Sequence, residues 1–168
     1  MNLIIDRTSE DVAYAAELRQ LIMSREADPE QWAEWLSELR GRYSFHTFNR
    51  VGVEILETAR IISDMYRHIS VFPRTDWRVE DIPTPQQLSN YLRDIDTIRQ
   101  VAAEAFDDVP PLPENMNNLT HTAANNIEII LMMAREFVIQ ASLIFVQSNM
   151  VESGFEGPYM ITGGFSNA

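Results

Sequence analysis

The sequence contains no cysteine and no lysine. The first absence excludes a disulfide framework, a thiol nucleophile and any cysteine-ligated zinc site. The second leaves arginine as the whole of the positive charge: 13 basic residues stand against 25 acidic ones, for a net charge of -12. The arginines are spread from Arg7 to Arg135 and form no basic cluster. Such a chain repels phosphate backbones and anionic lipid surfaces, so neither nucleic acid nor a membrane surface is an expected partner. The opening residues MNLIIDRTSED lack a basic start followed by a long apolar stretch, so no secretory leader is expected.

Catalytic signatures are equally scarce. His46, His68 and His121 are far apart, with no HExxH and no i, i+4 pair for a metal. No GxSxG elbow, calcium-loop pattern or glycine-rich phosphate loop occurs. The acidic pairs Glu10-Asp11, Glu80-Asp81 and Asp107-Asp108 fall at helix starts, in loops or at a helix end, where carboxylates are mostly solvated. The expectation is a protein that is not an enzyme and uses no cofactor or metal.

Strand patterns are almost missing too, while helix starts recur. At 168 residues the chain suits one domain, able to bury roughly 70% of the surface its unfolded form exposes. Thr8 precedes SEDVAYAAELRQLIMSR with Asp11 three residues on, which predicts a helix over about 9–25. Asp28-Pro29-Glu30-Gln31 sets a cap, a proline at the first helical position and a glutamine that can reach back. The helix it opens carries Trp32, Trp35, Leu36 and Leu39 on one face, more in keeping with core than with a carbohydrate platform, and Gly41 stops it. Thr47 opens a third helix with apolar residues from Val51 to Tyr66, ending near Arg67. Thr84-Pro85-Gln86-Gln87 repeats the start grammar for a fourth, whose stripe runs from Leu88 to Ala105. VPPLPENMNNLT (109–120) is an irregular connector, and Thr120 caps a fifth helix over about 121–150. The predicted fold is all-α: about five helices in a bundle-like packing, with a long 69–84 crossover loop, in a single helical domain of residues 1–152. A C-terminal tail, 153–168, is expected to pack on that domain or on a neighbouring subunit.

Two segments invite a functional reading. The fifth helix includes IEIILMMAREFVIQASLIFV (127–146), but Glu128, Arg135, Glu136 and Gln140 interrupt it, so membrane insertion is not expected. Its polar residues occupy about 140° of the circumference and the rest is apolar, which fits either a central helix wrapped by the other four or a helix shared with a symmetry mate. The tail adds large apolar side chains among four glycines and favours a homo-oligomer. Candidate interface residues are Met132, Met133, Phe137, Ile139 and Phe145 on the helix, with Phe155, Tyr159, Ile161 and Phe165 in the tail. The second segment is TDWRVEDIPTP (75–85). Thr84 caps the next helix, Pro85 begins it and Pro83 holds the approach extended, while Ile82 sits close to a hydrophobic-staple position. Together with Asp76, and with Trp77 expected to pack beneath the loop as a strut, these residues mark the fold.

DRTSEDV, EWLSELRGRYSFHTFNRV, TDWRVEDIPTPQQLSNYLRDI and PPLPENMNNLTHTAANNIEIIL occur in that order across about residues 5–135. In this order the chain resembles a helical module of small phage and prophage tail-region proteins of Gram-positive hosts, associated with baseplate and fibre. The resemblance implies a virion structural protein of the tail, baseplate or fibre region, assembled in the host cytoplasm, that self-associates and docks to other phage tail proteins. It carries over no catalytic residue. It marks Thr75, Asp76, Trp77, Ile82, Pro83, Thr84 and Pro85, with Asn49, Arg50, Leu119 and Thr120, as fold determinants. The absence of lysine and the very apolar stretch after residue 137 depart from the family pattern. A rival reading from another class is an acidic helical inhibitor, of the immunity type, masking a basic partner through the -12 charge. A third is a module that holds a host-surface glycan on an exposed Trp or Tyr.

Overall fold

The structure, a computed structural model, describes residues 2–152, with side chains as far as Ile144. Five α-helices and no strand form the described part: α1 (Ser9–Ser24), α2 (Pro29–Leu36), α3 (Phe45–Met65), α4 (Pro85–Ala102) and α5 (His121–Glu152). They pack into the all-α, bundle-like fold expected. Three starts are reciprocal capping boxes, in which Thr8 with Asp11, Asp28 with Gln31 and Thr84 with Gln87 satisfy each other's backbone N–H groups. Thr120 caps α5 by accepting from the Ala123 N–H at 3.1 Å.

Several boundaries differ from the sequence expectation, each for a local reason. α2 ends at Leu36 rather than at Gly41, because side chains from beyond it take its last carbonyls. Arg42 Nη1 donates to the Trp35 carbonyl at 2.8 Å, and His46 Nε2 donates to that of Leu36 at 2.9 Å. α3 begins at Phe45, two residues before Thr47, and Ser44 caps it without a side-chain bond. Thr47 lies buried in the first turn instead, its hydroxyl 3.3 Å from Glu38. α3 stops at Met65, and α4 stops at Ala102 before a turn. The aromatic pair on α2 divides: Trp35 packs against Ala15, Leu18 and Leu39, while Trp32 stays exposed on this eight-residue helix, whose main packing is against α1. Gly41 belongs to this α1–α2 unit by close approach, since a Cβ there would overlap the Asp11 carbonyl.

The main core lies among α3, α4 and α5, with Val51, Ile55, Ile62, Ile95, Ile98, Ile127, Ile130 and Leu131 fully enclosed. These three helices run in the same direction. Near their first turns Phe48 meets Tyr91 edge-on at 5.3 Å, and Arg50 meets Glu128. Near the far ends of α3 and α4 the Tyr66 hydroxyl donates to Glu104 at 2.5 Å, and the Tyr66 ring meets Phe137 at 5.3 Å. Parallel helices cannot be joined by tight turns. Each connection must return the length of a helix, and the 18 residues of α4 span about 27 Å. Residues 66–84 and 103–120 are those two return crossovers.

Each crossover is fastened to the helices it passes. On the first, Trp77 is 6% exposed, 5.4 Å from the Phe48 ring, with its indole N–H donating to the Arg74 carbonyl. The Asn49 side chain clasps the Trp77 backbone, accepting from its N–H at 2.7 Å and donating to its carbonyl at 2.8 Å. Gly52 lets the crossover pass close to α3: a Cβ there would sit 2.9 Å from the Arg74 oxygen. On the second, Arg99 and Asn126 donate to the carbonyls of Pro110 and Pro111. Ile82 differs from expectation: it is 88% exposed and forms no staple, because the Asn49 clasp and Trp77 already fix the approach. Replacing Trp77 with Ala should lower unfolding free energy by about 3 kcal/mol or more, the cost of emptying a buried aromatic site; chemical denaturation measures it.

Candidate partner-binding surfaces

The most concentrated polar chemistry lies inside the bundle, not on it. Glu128, in the second turn of α5, is 0% exposed. Its carboxylate accepts from Arg7 Nη2 at 2.5 Å, from Arg50 Nη1 at 2.6 Å and Nη2 at 3.0 Å, and from the Ile4 N–H at 2.6 Å. Asn125, one turn earlier on the helix, accepts from the Arg7 N–H and donates to the Arg7 carbonyl, both at 3.0 Å. Arg50 also reaches Glu38 at 2.9 Å and the Asn2 carbonyl at 2.8 Å. Burial acts to lower the Arg50 pKa, but the bonds to Glu128 and Glu38 together outweigh it, so the guanidinium is held charged. A carboxylate with four donors has no vacant lone pair for a ligand. This cluster is structural.

Three further polar side chains are engaged in the same way. Tyr43 and Tyr91 share a hydrogen bond at 2.6 Å, and burial pushes both phenols well above their ordinary range. Asp94 on α4 accepts from the Phe72 N–H at 3.1 Å, tying the first crossover down. Burial raises its pKa despite that bond. The histidines do not converge: His46 serves α2, and His68 lies beside Ser70. Among the described residues no three His, Asp or Glu side chains are placed to hold a metal ion.

Exposed apolar side chains lie in separate places on the surface. Phe72, Val79 and Ile82 stand exposed on the first crossover. Within the same stretch Asp76 is exposed and paired with Arg74 at 2.7 Å, Pro83 is half-buried, and Thr84 and Pro85 begin α4. Met23, Trp32 and Leu36 are exposed on the α1–α2 unit. A groove of about 420 Å³ runs between α4 and the second crossover, lined by Leu88, Leu92, Leu112 and Met116 among others.

The candidate interface on α5 divides at Val138, the last fully buried residue of the helix among those whose side chains are described. Met133 and Phe137 pack against the chain's own core, and Met132 is half-buried. The central-helix reading therefore describes α5 up to this point. Beyond it Ile139, Leu143 and Ile144 are exposed, at 36%, 51% and 67%. Phe145 lies on α5 with its side chain outside the described set, and Phe155, Tyr159, Ile161 and Phe165 lie outside the described residues. Among the described residues no helix is long and apolar enough to cross a membrane.

Sequence reasoning treated Glu128 as an interruption of an apolar run and did not connect it with Arg7. The available signal was its setting: one acid flanked by Ile127, Ile129 and Ile130 on a helix bound for the core demands a buried cation. Compared with protein-family models, curated proteins and solved structures, the chain matches none.

Two outcomes check this account. Glu128→Ala strands Arg7 and Arg50 without their shared anion and should cost about 3–5 kcal/mol in urea unfolding. For Asp94 the raised pKa means that the fold favours the neutral acid, so ionisation costs stability as pH rises above the ordinary value of 3.8. Asp94→Asn keeps an oxygen for the Phe72 N–H. The variant should gain on the wild type as pH rises from acid to neutral, as paired unfolding curves at several pH values would record.

Proposed function

We propose that this chain is a virion structural protein of a phage or prophage tail, in the baseplate or fibre region, acting by contact and not by catalysis. The observation that carries the reading is where the motif stretches meet. Arg7 comes from DRTSEDV, Arg50 from the Asn-Arg-Val turn of α3, and Asn125 and Glu128 from the stretch that leads into α5; all four join in one buried cluster. Asn49 of the same turn holds Trp77 of TDWRVEDIPTP. The residues on which the resemblance rests are thus the ones that hold the module together, as in a scaffold part. The exposed Ile139, Leu143 and Ile144 of α5 and the exposed Phe72, Val79 and Ile82 of the first crossover give it surfaces for docking to other tail proteins.

The acidic-inhibitor reading draws on the net charge of -12. Against it, many of the acids already have partners within the chain. Asp6, Glu38, Glu54, Asp76, Asp81, Glu104 and Glu128 all face arginine, and Asp11 and Asp28 cap helices. Mass-spectrometric analysis of particles purified after induction of a lysogen carrying the gene should find the chain in stoichiometric amount with tail proteins. Particles that are complete and infective without it would overturn the proposal.

A further inference from the structure

Among the described residues three acids are buried, and two of them face arginine. Glu128 has Arg7 and Arg50, and Glu54 has Arg135. Asp94 on α4 is 3% exposed and has no such partner. One of its carboxylate oxygens, Oδ2, accepts from the Phe72 N–H at 3.1 Å. No donor among the described residues reaches the other, Oδ1, and that atom is not one of the unpaired polar atoms sealed from solvent. It keeps an opening, and Asp94 borders a cavity of about 80 Å³ between α4 and the first crossover. A single water needs only about 10–15 Å³, so the space admits something larger.

The lining suits an organic cation. Phe72, Trp77 and Tyr91 bring aromatic rings to the cavity, and Gln87 and Asn90 bring neutral amides; aromatic rings attract cations. Phe72 is also exposed, so it offers apolar contact to an alkyl stem at the mouth. A metal ion fits poorly, since a hard cation takes about six oxygens and Asp94 is the only acid in the lining. The other charged and titratable groups nearby are already engaged. Arg74 borders the cavity, but Asp76 and Asp81 hold it at 2.7 Å each and it stacks over Trp77. The Tyr91 phenol bonds Tyr43, and Arg93, next to Asp94 on α4, acts on it only through space.

We propose that this cavity binds the head of an alkylammonium or guanidinium cation, with Asp94 Oδ1 as its counter-ion. A buried carboxylate without a cation is costly to ionise. A cation entering the cavity relieves that cost, so Asp94 gives up its proton as the cation binds. The net charge of -12 draws cations toward the site from a distance. Binding is strongest at neutral pH and is lost as pH falls, because a protonated Asp94 has no charge to pair. This site is independent of the structural-protein reading: cation binding stands even for a chain absent from phage particles.

The test follows the Phe72 amide signal of the full chain by NMR. n-Butylammonium chloride and methylguanidinium chloride are titrated in, each against sodium chloride at equal ionic strength, at acid and neutral pH. At least one cation should give a saturable shift at neutral pH that weakens in acid. Asp94→Asn keeps an oxygen for the Phe72 N–H and so keeps the fold, but should weaken binding by about tenfold or more, the loss of one charged hydrogen bond. Asp76→Asn, which removes an exposed acid nearby, should leave binding unchanged. A blocked Gly-Lys-Gly peptide that binds more tightly than butylammonium assigns the head to a protein side chain; one that binds less tightly assigns it to a free amine. The site is overturned if neither cation gives a saturable shift at neutral pH. Equal binding by Asp94→Asn, or an equal loss in Asp76→Asn, overturns it too.

Discussion

A buried carboxylate shared by two guanidinium groups is the constraint around which the rest of this fold is arranged. Removing a charge from water is expensive, and a buried ion pair is tolerated only when its geometry and its remaining hydrogen bonds are complete. Glu128 meets that condition with donors from three residues in two places: Arg7 and Ile4 in the N-terminal strap, and Arg50 on α3. No shift of α5 by a turn along α3 can preserve this set. An apolar interface of isoleucines tolerates several registers; one fully enclosed acid tolerates one. The same bonds give residues 2–7, which have no secondary structure of their own, a defined path across the bundle.

In this arrangement α3, α4 and α5 point the same way, and the direction has a topological cost. Two crossovers of nearly twenty residues must be held down although neither makes a regular ladder of hydrogen bonds. Side chains on the helices take that part. Asn49 closes both backbone groups of Trp77, Asp94 takes the Phe72 N–H, and Arg99 and Asn126 take the carbonyls of the proline-rich second crossover. Prolines are suited to such a path because they lack the N–H that would otherwise need a partner. The long loop is therefore a consequence of parallel packing, and Trp77 fills the space between it and α3.

Helix starts were legible in the sequence because capping boxes are local: Thr8, Asp28 and Thr84 each find their partner three residues away. Helix ends were less legible, since the carbonyls of α2 are closed by Arg42 and His46, residues that lie beyond the expected stop at Gly41. The parallel order of α3, α4 and α5 was hidden for a similar reason. It depends on contacts separated by 78 residues, such as Arg50 with Glu128, and periodicity within one helix carries no information about them. Trp77 could be assigned to a packed position because an aromatic between charged residues and prolines has few other uses. Ile82 could not, because its exposure follows from a clasp made five residues earlier.

Charge then shapes the surface of the body. The body has both signs, and much of its acid is neutralised locally: Arg135 lies between Glu54 and Glu57, Arg74 between Asp76 and Asp81, and Arg40 pairs with Asp6. With 25 acids and 13 arginines, however, an excess of negative charge must remain at the surface, and it opposes nonspecific approach by other acidic proteins.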